Sequence, residues 1–487
     1  MIIFNDTIIG AYTGYVTKKF FVMPYAELFF IALLFVICLI YFGKNSTYYF
    51  TDRPILMIGM CILLFLLQCF FSYHTLFITE SWDAGRVLKD AMYSVIGWDW
   101  MVDVNYFSYY PNNKGIFLLD YAVCRHLYGT AHFSTANAVI MIMRIEAFIS
   151  AITAYLIYRV THIITNDAKA SYLAWVIYAL LLGLSGWVIV PYTDMTVILL
   201  PLLIYYIYLR MSGDRRDYIR WFFIAFFTAA GFIVKPTVAI MLIAIVIGMI
   251  VFRFGEMISK LRSPWGVLRI AAIIAIVFCT MFSTSKLCDA AIESTGMVLD
   301  EEKNTGPLHM LMMGLNDSND GAMTWDDIAF SQKFETKSER TAAQLDRIEM
   351  IFRSYRPSSF ISHLSRKALV VFNDGTFAWG EEGGFYDEQL THTFIGSILK
   401  SFTYKGGNHY IGFSTIFQII WYMVLLMLVF VCRIKCDEKH IIPAVAVVGI
   451  IIFNLLFEAR ARYLIVYAPV IIVVAVTGLL SVWSKRD

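Results

Sequence analysis

The sequence predicts an all-α polytopic membrane protein, and three observations carry that prediction. Hydrophobic residues fill 59% of the 487 positions and charged residues only 16%, where a soluble chain carries about 25% charged. Mean hydropathy is +0.66. About eleven apolar segments have the length of a bilayer crossing, near 25–42, 54–72, 138–159, 170–190, 193–209, 219–234, 237–252, 267–285, 411–431, 441–457 and 463–483.

Lys and Arg in the short connections orient these segments. One set of connections, with the C-terminal tail, holds seventeen of them, including Arg210, Arg215, Arg216, Arg220, Arg253, Lys260, Arg262 and Arg269. The opposite set holds five: Lys18, Lys19, Lys235, Arg460 and Arg462. The first set is therefore expected on the cytoplasmic side. Two long loops then fall outside, near 73–137 and 286–410, and the second carries 18 of the 37 acidic residues. The expected organisation is a membrane module over 1–285 with the first loop inside it, a lid-like loop domain over 286–410, and closing membrane helices over 411–487.

Juxtamembrane helices are expected in both loops. "SERTAAQLDRIEMIFRSY" places Leu345, Ile348, Phe352 and Tyr355 on one helical face. "SFISHLSRKALVVF" reads as an interfacial helix with Arg366 and Lys367 at headgroup level. Net charge is +2, so no basic bias points to nucleic acid. The eight cysteines lie mostly in or beside apolar runs, which does not indicate a disulfide framework. The N-terminus lacks the charge-first order of a cleavable signal peptide.

Candidate chemistry begins at "ITESWDAGRVLKDAMYS", which sets Glu80, Asp83, Arg86, Lys89 and Asp90 just past an apolar segment. Asp83 opens a plausible helix. Its position fits an N-cap as well as a catalytic acid, and capping would also fix the carboxylate's direction. Glu80 is a second candidate, while Lys89 and Asp90 read as helix-surface charges. In "VNYFSYYPNNKG", turn chemistry explains Pro111, Asn112 and Asn113. The density of Tyr106, Tyr109, Tyr110, Asn112 and Asn113 also suits a carbohydrate surface, where aromatic faces and amides meet hydroxyls. Three hairpins carry charges at membrane edges: Asp194 in "PYTD", Lys235 in "KPT", and Glu458, Arg460 and Arg462 in "EARARY". Each could be a polar hairpin wetted by headgroups. Three on one face point instead to a shared polar cavity, where Arg and Lys suit a phosphate. "NDSNDGAMTWDD" has a calcium-loop-like glycine, Gly321, but ends in Asp327 where a bidentate Glu is wanted. The histidines show no zinc-ligand spacing, and there is no Walker loop or G-x-G-x-x-G.

With these residues in view, the chain resembles the GT-C superfamily of membrane glycosyltransferases. The branch it resembles holds the protein O-mannosyltransferases and aminoarabinose transferases. The resemblance rests on "ESWDAGRVLKDA", "YFSYYPNN", the hairpins "PYTD" and "KPT", "NDGTFAWGEEGGFY", and "EARARYLIVYAPVIIVVA", close to the R-Y-L-x-x-x-x-P pattern of a late span. It departs where the family's acid is often paired, since Trp82 and Ala84 flank Asp83, and where an extra segment precedes the usual first span. Glu80, Asp99 and Asp103 therefore stay as alternative acids. The resemblance implies a sugar donor on polyprenyl phosphate and an extracytoplasmic acceptor such as a cell-surface glycan, teichoic acid, lipid or protein. The enzyme would sit in a bacterial plasma membrane with its site on the outer side. Asp83 would be the general base of an inverting transfer. Lys235, Arg460 and Arg462 would stabilise the departing phosphate, with Arg86 and Lys114 in reserve. The second loop would exclude water from the donor. Members occur with and without a divalent metal, so no cofactor is fixed. A flippase of lipid-linked saccharides, or a polysaccharide polymerase or ligase, is the alternative.

Overall fold

The computed structural model describes residues 25–45, 50–75, 83–380 and 393–483. It is helical throughout, with no strand among the described residues. In chain order the helices are α1 (Tyr25–Asn45), α2 (Pro54–His74), α3 (Asp83–Ile96), α4 (Val104–Tyr109), α5 (Lys114–Leu127), α6 (Thr135–Thr165), α7 (Ala168–Tyr178), α8 (Thr193–Thr196), α9 (Leu200–Leu209) and α10 (Arg216–Val234). They continue with α11 (Ala239–Leu261), α12 (Pro264–Ser294), α13 (Gly306–Leu315), α14 (Trp325–Gln332), α15 (Lys337–Ser354), α16 (Pro357–Phe372), α17 (Phe394–Thr403), α18 (Tyr410–Leu428), α19 (Glu438–Leu456) and α20 (Ala468–Trp483).

Among the described residues, nine helical segments are long and apolar enough to cross a membrane. The expected segments at 170–190 and 193–209 are present as shorter apolar helices. Both are interrupted for local reasons. After α7 the chain widens into a π turn over 179–183 and then runs irregularly to Val190. Between α8 and α9, Val197 leaves helical geometry and Pro201 follows at the start of the next helix. Irregular backbone at membrane depth is tolerated where protein buries it. Here Val188, Ile189, Val190, Tyr192 and Thr193 are all buried.

The core gathers around α20, whose residues from Ala468 to Leu479 are all buried. At its entrance the hairpin after α19 meets the hairpin after α10. The Tyr467 hydroxyl lies 3.1 Å from the Thr237 carbonyl, to which it donates.

The loop domain from α13 to α16 is packed differently from the expectation. On α15 the buried line is Arg340, Gln344 and Ile348, whereas Leu345 and Phe352 are exposed. The reason is the polar core of this domain. The Arg340 guanidinium donates to the carbonyls of Ser331, Glu302 and Phe334 at 2.8, 2.5 and 2.6 Å. Arg366 and Lys367 are buried rather than at headgroup level. Arg366 pairs with Asp317 and Asp320. Lys367 donates to the carbonyls of Gly314 at 2.6 Å and Phe457 at 2.7 Å. The calcium-like stretch is accordingly a protein-satisfied turn, with Asp317 and Asp320 on Arg366 and Asp327 on Arg347. Gly321 is required in it, since φ is +76° and a Cβ would sit 2.7 Å from the Gly314 carbonyl oxygen. The Gly321 carbonyl in turn accepts from the Ala459 amide at 2.8 Å. The loop domain is thus fastened to the segment that carries Glu458 and Arg460.

Candidate functional site

Three interruptions of helical backbone converge on one buried polar cluster. Pro236 ends α10 and leaves Lys235 extended. The turn at α8 presents Asp194, and the extended segment after α19 presents Glu458, Arg460 and Arg462. All five side chains are buried. Asp194 binds Lys235 through one oxygen and Arg462 through the other, the latter at 3.3 Å. Arg460 pairs with Glu458 at 2.9 Å.

Tyr463 joins the two ion sets. Its hydroxyl donates to Glu458 at 2.6 Å, and its ring faces the Lys235 ammonium at 4.7 Å and the Arg462 guanidinium at 5.3 Å. Burial alone would raise the Glu458 carboxyl. The charges of Arg460 and Arg462 and the Tyr463 hydroxyl overcome that and hold it below its ordinary range. Among the described residues, three basic side chains stand with two carboxylates in this cluster.

Tyr192 carries that cluster to the sequence-selected acid. Its ring lies 5.3 Å from the Arg462 guanidinium, and its hydroxyl donates to Asp83 Oδ2 at 3.4 Å. Asp83 stands in the first turn of α3, where the helix dipole favours a carboxylate. Asn113 lies on the same side. Its amide donates to the Tyr106 hydroxyl at 2.5 Å, and its carbonyl oxygen is 3.5 Å from the Tyr192 hydroxyl. Tyr106 also hydrogen-bonds Asp83, and burial, reinforced by the nearby Tyr192 and Asp83, lifts its phenol well above the usual value. Tyr110 is pushed up to about 12 by burial and then by Asp83. Both phenols keep their protons at neutral pH and can donate.

The structure therefore unites Asp83, Asp194, Lys235, Arg460, Arg462, Tyr106, Tyr110 and Asn113. Tyr106 and Asn113 do so as buried wall, not as an open carbohydrate surface. Asn112 is half-buried, with its amide on Asn113 at 3.3 Å. Of the other expected residues, Lys114 stands apart and Arg86 borders the cluster. Lys114 is committed to Asp289 at 2.5 Å. Arg86 stacks over Tyr106 at 4.9 Å, half exposed, with Asp103 at 3.6 Å. Asp103 caps α4 by accepting the Tyr106 amide at 3.0 Å. Glu80 lies outside the described residues. Asp90 is not a surface charge but is buried, and burial pushes its carboxyl up to about 6.

Several residues at the cluster were not anticipated. His309 of α13 is buried with its ring 6.5 Å from that of Tyr110, and burial lowers it below the usual histidine value. It is thus neutral at pH 7. Glu146 of α6 is buried beside α8, its Oε1 2.8 Å from the Thr196 hydroxyl. The sequence held a signal for it, because Arg144 and Glu146 interrupt an apolar segment where charge is costly.

Fold and composition define an integral membrane protein, helical and with several candidate spans. Within that class, the chain belongs to the family of conserved hypothetical integral membrane proteins, whose model matches residues 1–482. No curated protein and no solved structure matches it.

Proposed function

We propose that the protein is a membrane glycosyltransferase that moves a sugar from a polyprenyl-phosphate donor to an extracytoplasmic acceptor. One observation carries this reading: Asp83 and the buried Arg462 meet across the single ring of Tyr192. A carboxylate and a cluster rich in basic side chains, separated by one side chain, suit the two ends of a displacement at an anomeric carbon. Asp83 takes the proton of the attacking acceptor hydroxyl. The carbon–oxygen bond to the lipid phosphate breaks, and the departing phosphate takes up the bonding electrons. Arg462, Arg460 and Lys235 stabilise the charge that develops there. Tyr106 and Tyr192 orient the base through their hydroxyls. The loop domain, fastened to the Glu458–Arg460 segment by Lys367, covers the site and limits donor hydrolysis.

The test is purified full-length protein given a labelled polyprenyl-phosphate sugar, with and without acceptor extract from the cell envelope. Acceptor-dependent release of lipid phosphate is expected. Movement of the lipid-linked sugar across liposomes without release would identify a flippase instead. Use of pyrophosphate-linked oligosaccharide alone would identify a polymerase or ligase.

A further inference from the structure

Glu146 lies eleven residues into α6, about 17 Å along the helix from Thr135 at about 1.5 Å per residue. It is 2% exposed, and no cation pairs with it among the described residues. The Thr196 hydroxyl lies 2.8 Å from Oε1 and the carboxyl also faces the Tyr192 backbone N–H, while Oε2 has no hydrogen-bond partner among the described residues. The same hydroxyl lies 3.2 Å from the carbonyl oxygen of Tyr192. Thr196 has a single proton for two acceptors. A proton on Glu146 resolves the conflict, because the carboxylic acid then donates to Thr196 and Thr196 donates to Tyr192. That assignment also avoids a bare carboxylate in the membrane interior.

The turn held in this way is the one that matters. Over residues 192–196 it presents the Tyr192 hydroxyl to Asp83 and the Asp194 carboxylate to Lys235 and Arg462. A four-residue helix has too few internal hydrogen bonds to fix these directions by itself. The geometry points to Glu146 as the positioning residue of the site, setting the Tyr192–Thr196 turn through Thr196. What it positions for rests on the transferase reading above, but the contact itself does not.

The full-length protein is purified as wild type, Glu146→Ala, Glu146→Gln, Thr196→Val and the double variant Glu146→Ala/Thr196→Val. Two readouts are taken: thermal midpoint in detergent and steady-state sugar transfer. Thr196→Val breaks the Glu146–Thr196 link, and Glu146→Ala breaks that link together with the contact to the Tyr192 amide. Their midpoint losses should therefore be strongly non-additive in the double variant. In transfer, Glu146→Ala should lower kcat by about 100-fold, the cost of a displacement near 1 Å at the reacting groups, with KM changed little. Glu146→Gln, which keeps a donor and a neutral shape, should recover most of that loss. Additive midpoints, or a Gln variant as impaired as Ala, would overturn the assignment. Absence of transfer by wild type would refute the transferase reading alone, since the midpoint cycle still decides the contact.

Discussion

The hairpin cluster and the loop domain each bury cations, yet the two sets are satisfied in different ways. In the loop domain, Arg366 faces two carboxylates and Lys367 donates to two main-chain carbonyls. Protein groups within the loop region and the 457 carbonyl meet both side chains. In the hairpin cluster, Lys235 and Arg462 meet at Asp194, Arg460 pairs with Glu458, and the set borders Asp83 through Tyr192. Burial of a basic side chain therefore marks neither structure nor site. The neighbour across the Tyr192 ring does.

Removing the shared acid strains this comparison most. Asp194→Ala leaves Lys235 and Arg462 buried without their common carboxylate, at about 3–5 kcal/mol. The expected result is a large drop in folded, detergent-stable protein by size-exclusion assay. A well-folded variant would show that the cluster is wet rather than paired. Next comes Lys367→Met, which strands two buried carbonyls at about 1–3 kcal/mol each. It should lower the thermal midpoint and expose the 457–460 segment to limited proteolysis. A sharper contrast comes from Arg→Lys on both sides. Arg462→Lys keeps the charge but loses the planar fork, and should slow transfer about tenfold or more at similar stability. Arg366→Lys should cost stability and leave the transfer rate of the folded fraction unchanged.

The smallest effect concerns Asp90, a buried acid outside both sets. Burial raises its carboxyl to about 6 in the fold, against an ordinary value of 3.8. The folded state then holds the proton more tightly than the unfolded chain, so the contribution of Asp90 to stability is greatest at low pH and is lost as pH rises from about 4 through about 6. Asp90→Asn should raise the melting midpoint at pH 7.5 and leave it nearly unchanged at pH 4.

The membrane class was legible because apolar length and charge asymmetry are written along the chain. The three charged hairpins were legible for a similar reason, since a lone Lys235 or Asp194 inside apolar sequence is costly unless partnered. What sequence did not disclose was which partner each would find. Arg366 and Lys367 sit at amphipathic spacing that equally suits a membrane surface, and only tertiary packing against Asp317, Asp320 and the 457 carbonyl decides otherwise. The buried line of α15 was missed because its centre is Arg340, which an apolar pattern cannot nominate. Tyr192 and Tyr463 were missed because an aromatic residue near a membrane edge ordinarily reads as interfacial belt.

The central claim is that Asp83 and the hairpin cations act on one reaction. Its most direct measurement is sugar transfer by purified Asp83→Asn at saturating labelled polyprenyl-phosphate donor, alongside binding of that donor. The account predicts transfer slowed by about 10²–10⁴-fold, the range for loss of a general base, with donor binding retained. Transfer at the wild-type rate would contradict it.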